Sequence, residues 1–573
     1  MLTSKLCHLL SPLLLVGGTI AGTINAANNA PDNAPVVHLR NGSFYGNYNP
    51  TYNQDIFFSM PYAQPPLKDL RFDVPQSLNA TWIGYRNATQ IGDSCLGYTG
   101  SPRKLASSED CLTMTVVRPA GNFSEPLPVA LWIHGGGWNY GSSAEGLFNG
   151  SFLVDRSVQM GTPVIVASFN YRLAGWGWLW SPEVVEKGLT NVGLRDQRLA
   201  MHWIKENIAS FGGDASRVTI FGESAGSFSV GKHLLAYGGR DDSLFSGAIG
   251  QSGAPTGIGP WEVSHERLSL ATYNLTQTVC PNATAKLDCL RKADLETLDK
   301  AMEASMALPG PSVVYGPVID GDILTMKPAE QMRQGKIVNV PFILGSNTDE
   351  ASYYTPTAIN TELELLDAIT TRFGCNTSQA LRIMDHYAFS DPENAVQGVK
   401  NFQLNSTTGL LYKRANSIGS DLIFKASTHL TAQLWSKQGR DNIYIYNANT
   451  TLSKGPVYYG SAHGYELAYT FYNLNGTGWE GNEAPFSGGN PFDDRPQPYF
   501  ELADVMSGMW IGFINTRKPH YANQSVIEWP AYTVERPTIM NFDAQPTYLN
   551  TGLSQESRVS GMKLMISLGL WEY

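Results

Sequence analysis

The stretch that most constrains this chain is Arg217-Val218-Thr219-Ile220-Phe221-Gly222-Glu223-Ser224-Ala225-Gly226-Ser227. Val218 to Phe221 reads as a buried strand and Ser227 to Tyr237 as a helix. Between them stands Gly-x-Ser-x-Gly, the pattern of a nucleophile elbow. So sharp a turn strains the backbone at Ser224 and brings main chain very close, so Gly222 and Gly226 must lack side chains. The serine hydroxyl is pushed out above the sheet.

The amino terminus does not belong to this fold. Lys5 precedes an apolar run from Leu9 to Val16, then small residues up to Ala21 and Ala26. That is a secretory signal, too short to span a bilayer, with cleavage after Ala21 or after Ala26. A buried first helix would need polar alternation, which Leu9 to Val16 lacks. From residue 36 to the end there is no composition shift, repeat or long low-complexity linker, and residues 27–573 read as one large domain. Hydrophobic residues at 42% supply its core, and a formal charge of −10 argues against nucleic acid or an anionic membrane as partner.

Secretion sets an oxidising context. Losing Cys7 with the signal leaves Cys95, Cys111, Cys280, Cys289 and Cys375, an odd number. Proximity suggests Cys95 with Cys111 and Cys280 with Cys289, though other pairings are open at this point. Asn-x-Ser/Thr acceptors for glycans occur at Asn41, Asn79, Asn87, Asn122, Asn149, Asn274, Asn282, Asn376, Asn405, Asn449, Asn475 and Asn523.

Two further apolar strands precede the elbow. Val129 to Ile133 ends in His134-Gly135-Gly136-Gly137-Trp138, and Pro163 to Phe169 ends in Asn170-Tyr171-Arg172. Acyl transfer places negative charge on a former carbonyl oxygen, which bare backbone N–H groups must approach closely. Gly136 and Gly137 supply such groups, and Ala225 after the serine supplies a third. Met201, Ile204, Ile208 and Phe211 recur at helical spacing until Gly212-Gly213 stops the helix. Strands alternating with helices imply an α/β fold, a mainly parallel sheet with helices on both faces and ligands beyond the strands' carboxyl ends.

Ser224 needs a base, and this architecture places an acid and then a histidine downstream. Of His265, His386, His429, His463 and His520, His463 follows the strand Asn442 to Tyr446 in the loop Gly460-Ser461-Ala462-His463-Gly464. The acid should also follow a strand. Val340 to Gly345 leads into Asp349-Glu350, and spacing does not choose between those two.

With these motifs in order, the chain resembles the type-B carboxylesterase and lipase family, the cholinesterase-like branch of the α/β-hydrolases. The resemblance runs from Pro61-Tyr62-Ala63-Gln64-Pro65-Pro66 and Leu70-Arg71-Phe72 through Glu109-Asp110-Cys111-Leu112, Asn170-Tyr171-Arg172-Leu173, Phe211-Gly212-Gly213-Asp214 and Gln251-Ser252-Gly253 to His463-Gly464-Tyr465-Glu466. It implies that Ser224 is the nucleophile, His463 the general base and acid, and Glu350 the carboxylate that orients His463. Ser252 resembles the family's supporting serine near the acid. Arg71 with Glu109, and Arg172 with Asp196, resemble its structural ion pairs. The family's disulfides match Cys95–Cys111 and Cys280–Cys289, with Cys375 left over. No metal or organic cofactor is needed for such chemistry.

Departures from the family narrow the substrate. Cys111 follows Cys95 by only 16 positions, too few for the amphipathic lid of interfacially activated lipases. The loop Leu96 to Lys104 also lacks the tryptophan with which cholinesterases hold a quaternary ammonium. The expectation is a carboxylesterase acting on short or medium acyl esters, or on an ester of a small natural product. A lipase on water-insoluble glycerides is the runner-up. A non-catalytic adhesion module of the same fold is a third reading, opposed by the presence of Ser224, Glu350 and His463. Trp138, Tyr98 and the residues after Gly253 are candidate pocket lining, and Leu474 to Pro498 is a candidate border of the entrance. Oligomeric state is open.

Overall fold

A computed structural model describes residues 29–98, 106–308, 313–388, 408–479, 489–521, 528–545, 548–549, 552–555 and 557–572. The signal segment, Asn405, Asn523 and parts of the Leu96–Lys104 and Leu474–Pro498 loops lie outside them.

The framework is a twelve-stranded sheet. Its strands are β1 (Asn47–Asn49), β2 (Gln54–Pro61), β3 (Thr113–Pro119), β4 (Leu127–Ile133), β5 (Ile165–Phe169), β6 (Gly213–Glu223), β7 (Gly247–Gln251), β8 (Phe342–Asn347), β9 (Ile443–Asn449), β10 (Thr538–Gln545), β11 (Tyr548–Leu549) and β12 (Gly552–Gln555). In space they run β11-β10-β9-β8-β7-β6-β4-β5-β3-β2-β1, with β12 also paired to β10. Strands β4 to β10 are parallel to one another. The edges β1–β2–β3 and β11–β12 are antiparallel additions.

Apolar alternation divides the interior into two cores. Val129, Leu131 and Ile133 of β4 face one core, and Ala130 and Trp132 face the other. The first face is covered by α2 (Val192–Asn207) and α3 (Ala225–Gly239), the second by α1 (Gly150–Gln159) and α4 (Gln497–Thr516). A strand buried on both sides must be apolar at every position, and β4 is buried throughout. Each fully buried Leu or Ile there contributes about 1.5–3 kcal/mol. The expected α/β-hydrolase architecture in a single domain is thus what the chain adopts.

The differences are at element ends. The helix after the elbow begins at Ala225, and its regular part stops before Ala236, because Tyr237 and Gly238 turn left-handed at φ +52° and +72°. Strands β8 and β9 run on to Asn347 and Asn449, beyond their apolar cores, because Ser346–Asn447 and Asn347–Ala448 remain in register. Gly212, at φ +80°, ends the preceding helical turn as its lack of a side chain allows.

From β4 the chain goes to β5 on one side and then to β6 on the other. Strand order reverses there, the switch point beyond whose carboxyl ends open α/β sheets bind their ligands. Both glycine-rich turns of the sequence follow strands at that switch point.

Candidate active site

The elbow is strained as its pattern requires. Ser224 has φ +56° and ψ −125°, a conformation that costs a residue with a side chain roughly 1–3 kcal/mol. Two bonds hold it there, Ser224 N–H to the carbonyl of Gln251 at 2.9 Å and Phe228 N–H to the carbonyl of Ser224 at 2.9 Å. A Cβ at Gly226 would stand 2.0 Å from the carbonyl oxygen of Ile133, and one at Gly222 would stand 2.6 Å from the main chain of Gly226. Neither position tolerates a side chain.

Three residues distant in sequence meet in one line. The Ser224 hydroxyl lies 2.8 Å from Nε2 of His463, and Nδ1 of His463 lies 2.5 Å from Oε2 of Glu350. Glu350 is fully buried, and its other oxygen accepts from the Ser252 hydroxyl and from Asn347 N–H, each at 2.6 Å. Asp349 points elsewhere: Oδ2 accepts from Ser461 N–H at 3.0 Å, and burial pushes its carboxyl up to about 6. Successive residues of the tight turn Glu350–Tyr353 and its cap diverge around the axis, so only one of the two acids can face His463.

Two more carboxyls crowd the imidazole. Oε1 of Glu223 lies 3.2 Å from Nε2 of His463, and burial pushes that carboxyl up to about 8. Glu466 is pushed up to about 7 by burial and by Glu350, and it receives hydrogen bonds from Gln251 and Asn347. Burial alone would lower His463, but Glu223 and Glu350 outweigh it and raise the imidazole to about 9. The direction follows from charge: a carboxylate beside an imidazole favours imidazolium.

The glycine triplet lies against the elbow. A Cβ at Gly135 would come within 2.9 Å of the carbonyl oxygen of Glu223 and 3.1 Å of Cβ of Ser224, so the two turns leave no room for a side chain between them. Gly136 and Gly137 have φ of +97° and +59°. Among the described residues no acceptor takes their N–H groups. Ala225 opens α3, where a helix has no internal acceptor for its first N–H groups.

The other sequence candidates lie outside this hydrogen-bonded line. Arg71 holds Glu109 through two bonds of 2.6 and 2.8 Å, and Arg172 holds Asp196 through two of 2.8 and 2.7 Å. Cys95 is bonded to Cys111 and Cys280 to Cys289, while Cys375 is free and buried. Tyr98 donates to Asp299 at 2.5 Å and accepts from Trp176, so its hydroxyl is tied into the scaffold. Trp138 is buried and donates to Ser229 at 3.0 Å. Asn79, Asn87, Asn122, Asn282, Asn376 and Asn475 are exposed, whereas Asn41, Asn149, Asn274 and Asn449 are partly buried. The amide of Asn41 is already committed to the carbonyl of Ala80 at 2.9 Å.

Sequence reasoning assigned no role to Glu223, Glu466, Asn347 or His134. Glu223 and Glu466 stood inside quoted motifs, and a carboxylate in an otherwise apolar or glycine-rich turn was the signal available. Asn347 had none, because its contact with Glu350 is made by the backbone.

The chain matches the carboxylesterase family over residues 33–559. Lipase 2 of Diutina rugosa is 38% identical to it over 359 residues, which cover 57% of this chain and 64% of that lipase, just under two thirds. A secreted triacylglycerol lipase of Gibberella zeae is 30% identical over 464 residues, covering 73% of this chain and 76% of the relative. Among solved structures, Aspergillus niger EstA superposes with a TM-score of 0.78 at 26% identity, over 94% of this chain and 99% of that one.

Proposed function

This chain belongs to the carboxylesterase family, and from that premise we propose that it is a secreted serine carboxylic ester hydrolase. The observation that carries the reading is the unbroken hydrogen-bonded line from Ser224 through His463 to Glu350. Ser224 attacks the ester carbonyl as His463 takes its proton, and Glu350 steadies the imidazolium that forms. The N–H groups of Gly136, Gly137 and Ala225 receive the oxyanion. His463 then protonates the departing alcohol, and the same imidazole activates water to release the acid.

Short or medium acyl esters, or an ester of a small natural product, are the proposed substrates, because Cys111 follows Cys95 by only 16 positions. A second reading, a lipase on water-insoluble glycerides, is favoured by the names of the relatives. Hydrolysis of p-nitrophenyl esters of increasing chain length, with Ser224→Ala as blank, separates them. A maximum at short or medium chains without a jump above substrate solubility supports the esterase, and a long-chain optimum with such a jump the lipase. Activity equal to that of the blank across the series would sink both.

Residues 1–26 are proposed to hold the secretion signal, cleaved after Ala21 or after Ala26, and 27–573 the mature domain. Support comes from the amino-terminal pattern and from a relative described as secreted. Mass and amino-terminal sequencing of protein from the culture medium test this, and an intact Met1 there would overturn it.

A further inference from the structure

The acyl-transfer reading above leaves the buried imidazole of His134 unused. His134 follows β4 directly, is 1% exposed, and stacks on Tyr171 with ring centroids 4.4 Å apart. Its Nδ1 lies 2.9 Å from the carbonyl oxygen of Gly135. A carbonyl oxygen cannot donate, so Nδ1 carries the hydrogen and Nε2 is bare. Among the described residues Nε2 has no partner, so nothing stabilises the other tautomer. Burial pushes this imidazole down to about 4, which keeps it neutral at neutral pH.

The surroundings clamp this contact. The Tyr171 hydroxyl donates to the carbonyl of His134 at 2.9 Å. A Cβ at Gly141 would stand 2.7 Å from Nδ1 of His134 and 2.8 Å from the Gly135 oxygen, so the imidazole and the carbonyl are packed together beneath that glycine. The Gly135 carbonyl and the Gly136 N–H belong to one planar peptide unit and point in opposite directions. Fixing the carbonyl fixes the N–H. Three consecutive glycines have little intrinsic preference for any one orientation, so the loop needs such a constraint from outside.

Building on the proposed acyl transfer, we infer that His134 is a positioning residue for the oxyanion pocket. By donating Nδ1–H to the Gly135 carbonyl it holds the Gly135–Gly136 peptide plane, and so aims the Gly136 N–H at the oxygen that gains charge. It touches no substrate atom in this role.

The test compares His134→Asn with His134→Leu. The two side chains have the same shape, and both remove the stack on Tyr171, but only the Asn amide nitrogen can donate from the place of Nδ1. His134→Phe, which keeps a ring without a donor, substitutes for Leu if that variant does not fold. Steady-state kinetics on the best p-nitrophenyl ester, burst amplitude and thermal midpoint are read for each. We expect kcat of the Leu variant to fall by about tenfold or more, with KM within about twofold, since an oxyanion donor acts only in the transition state. His134→Asn should recover most of that loss at an equal thermal midpoint. Equal kcat in the Asn and donor-less variants, or a loss in KM alone, would overturn the inference while leaving ester hydrolysis by the native protein intact. A native protein without activity above Ser224→Ala would instead refute the acyl-transfer reading, and this inference with it.

Discussion

Ser252 donates its hydroxyl to Oε1 of Glu350 at 2.6 Å, the oxygen opposite the one that meets His463. Ser252 is itself held at φ +57°, at the carboxyl end of β7, so the fold spends strain to place this donor. Glu350 therefore reaches the imidazole from a fixed position.

Removing that donor should weaken the proposed catalysis without unfolding the protein. A hydrogen bond to a charged group is worth about 1.5–3 kcal/mol, and Asn347 N–H remains to satisfy the carboxylate. Ser252→Ala is expected to lower kcat by roughly tenfold to a hundredfold. Kinetics at saturating ester, beside circular dichroism of the variant, check this, and an unchanged kcat would remove Ser252 from the machinery.

The pH dependence follows from the carboxyls around His463. Imidazolium cannot take a proton from Ser224, and the imidazole is raised to about 9, so activity should appear only as pH climbs above the ordinary imidazole range. In Glu223→Gln the neighbour 3.2 Å from Nε2 can no longer carry negative charge, so imidazolium loses a stabilising partner. The acid limb of kcat/KM should move to lower pH. A pH profile of the two proteins decides it; a limb that stays put or moves upward would exclude Glu223 as a cause of the raised imidazole.

Gly136 and Gly137 should respond differently to alanine. At Gly136 the new Cβ would stand 2.0 Å from the carbonyl oxygen of Tyr140, at φ +97°, so Gly136→Ala should lose several degrees of thermal midpoint together with activity. At Gly137 the nearest heavy atom is Cγ2 of Val313 at 3.7 Å, which is ordinary contact. Only the positive φ opposes that methyl, at a cost of about 1–2 kcal/mol. Gly137→Ala is expected to stay closer to native in a thermal scan than Gly136→Ala, and the reverse order would refute this placement of the loop.

Cys375 should be silent in the folded protein. It is 4% exposed, and burial pushes its thiol up to about 12, so little thiolate exists to react. A maleimide added to native protein at neutral pH should label none of the mature chain, and after denaturation without reductant it should label one site. Rapid native labelling, or two or more sites after unfolding, would contradict the pairing of Cys95 with Cys111 and Cys280 with Cys289.

Much of the site could be read before the fold was known, and the reason is range. The elbow, the glycine triplet and the stop at Gly212 are made by residues within a few positions of each other, and glycine stands where backbones touch or where a side chain at positive φ would add strain. Those requirements are written into adjacent letters. Glu350 was different: on spacing alone it could not be told from Asp349, and its assignment came from family resemblance.

The sequence by itself therefore determined the parallel sheet, the strained serine at its carboxyl edge and the histidine-bearing loop after β9, because apolar period and turn chemistry are local. Only the tertiary structure gave the geometry by which Glu350 rather than Asp349 faces His463, the burial of Glu223 and Glu466 beside it, and the contact of His134 with the Gly135 carbonyl. His463 meets Ser224 across 239 positions and Glu350 across 113. Such contacts, and the ionisation they impose, depend on burial and ångström-scale distances that exist only once the sheet has brought the loops together.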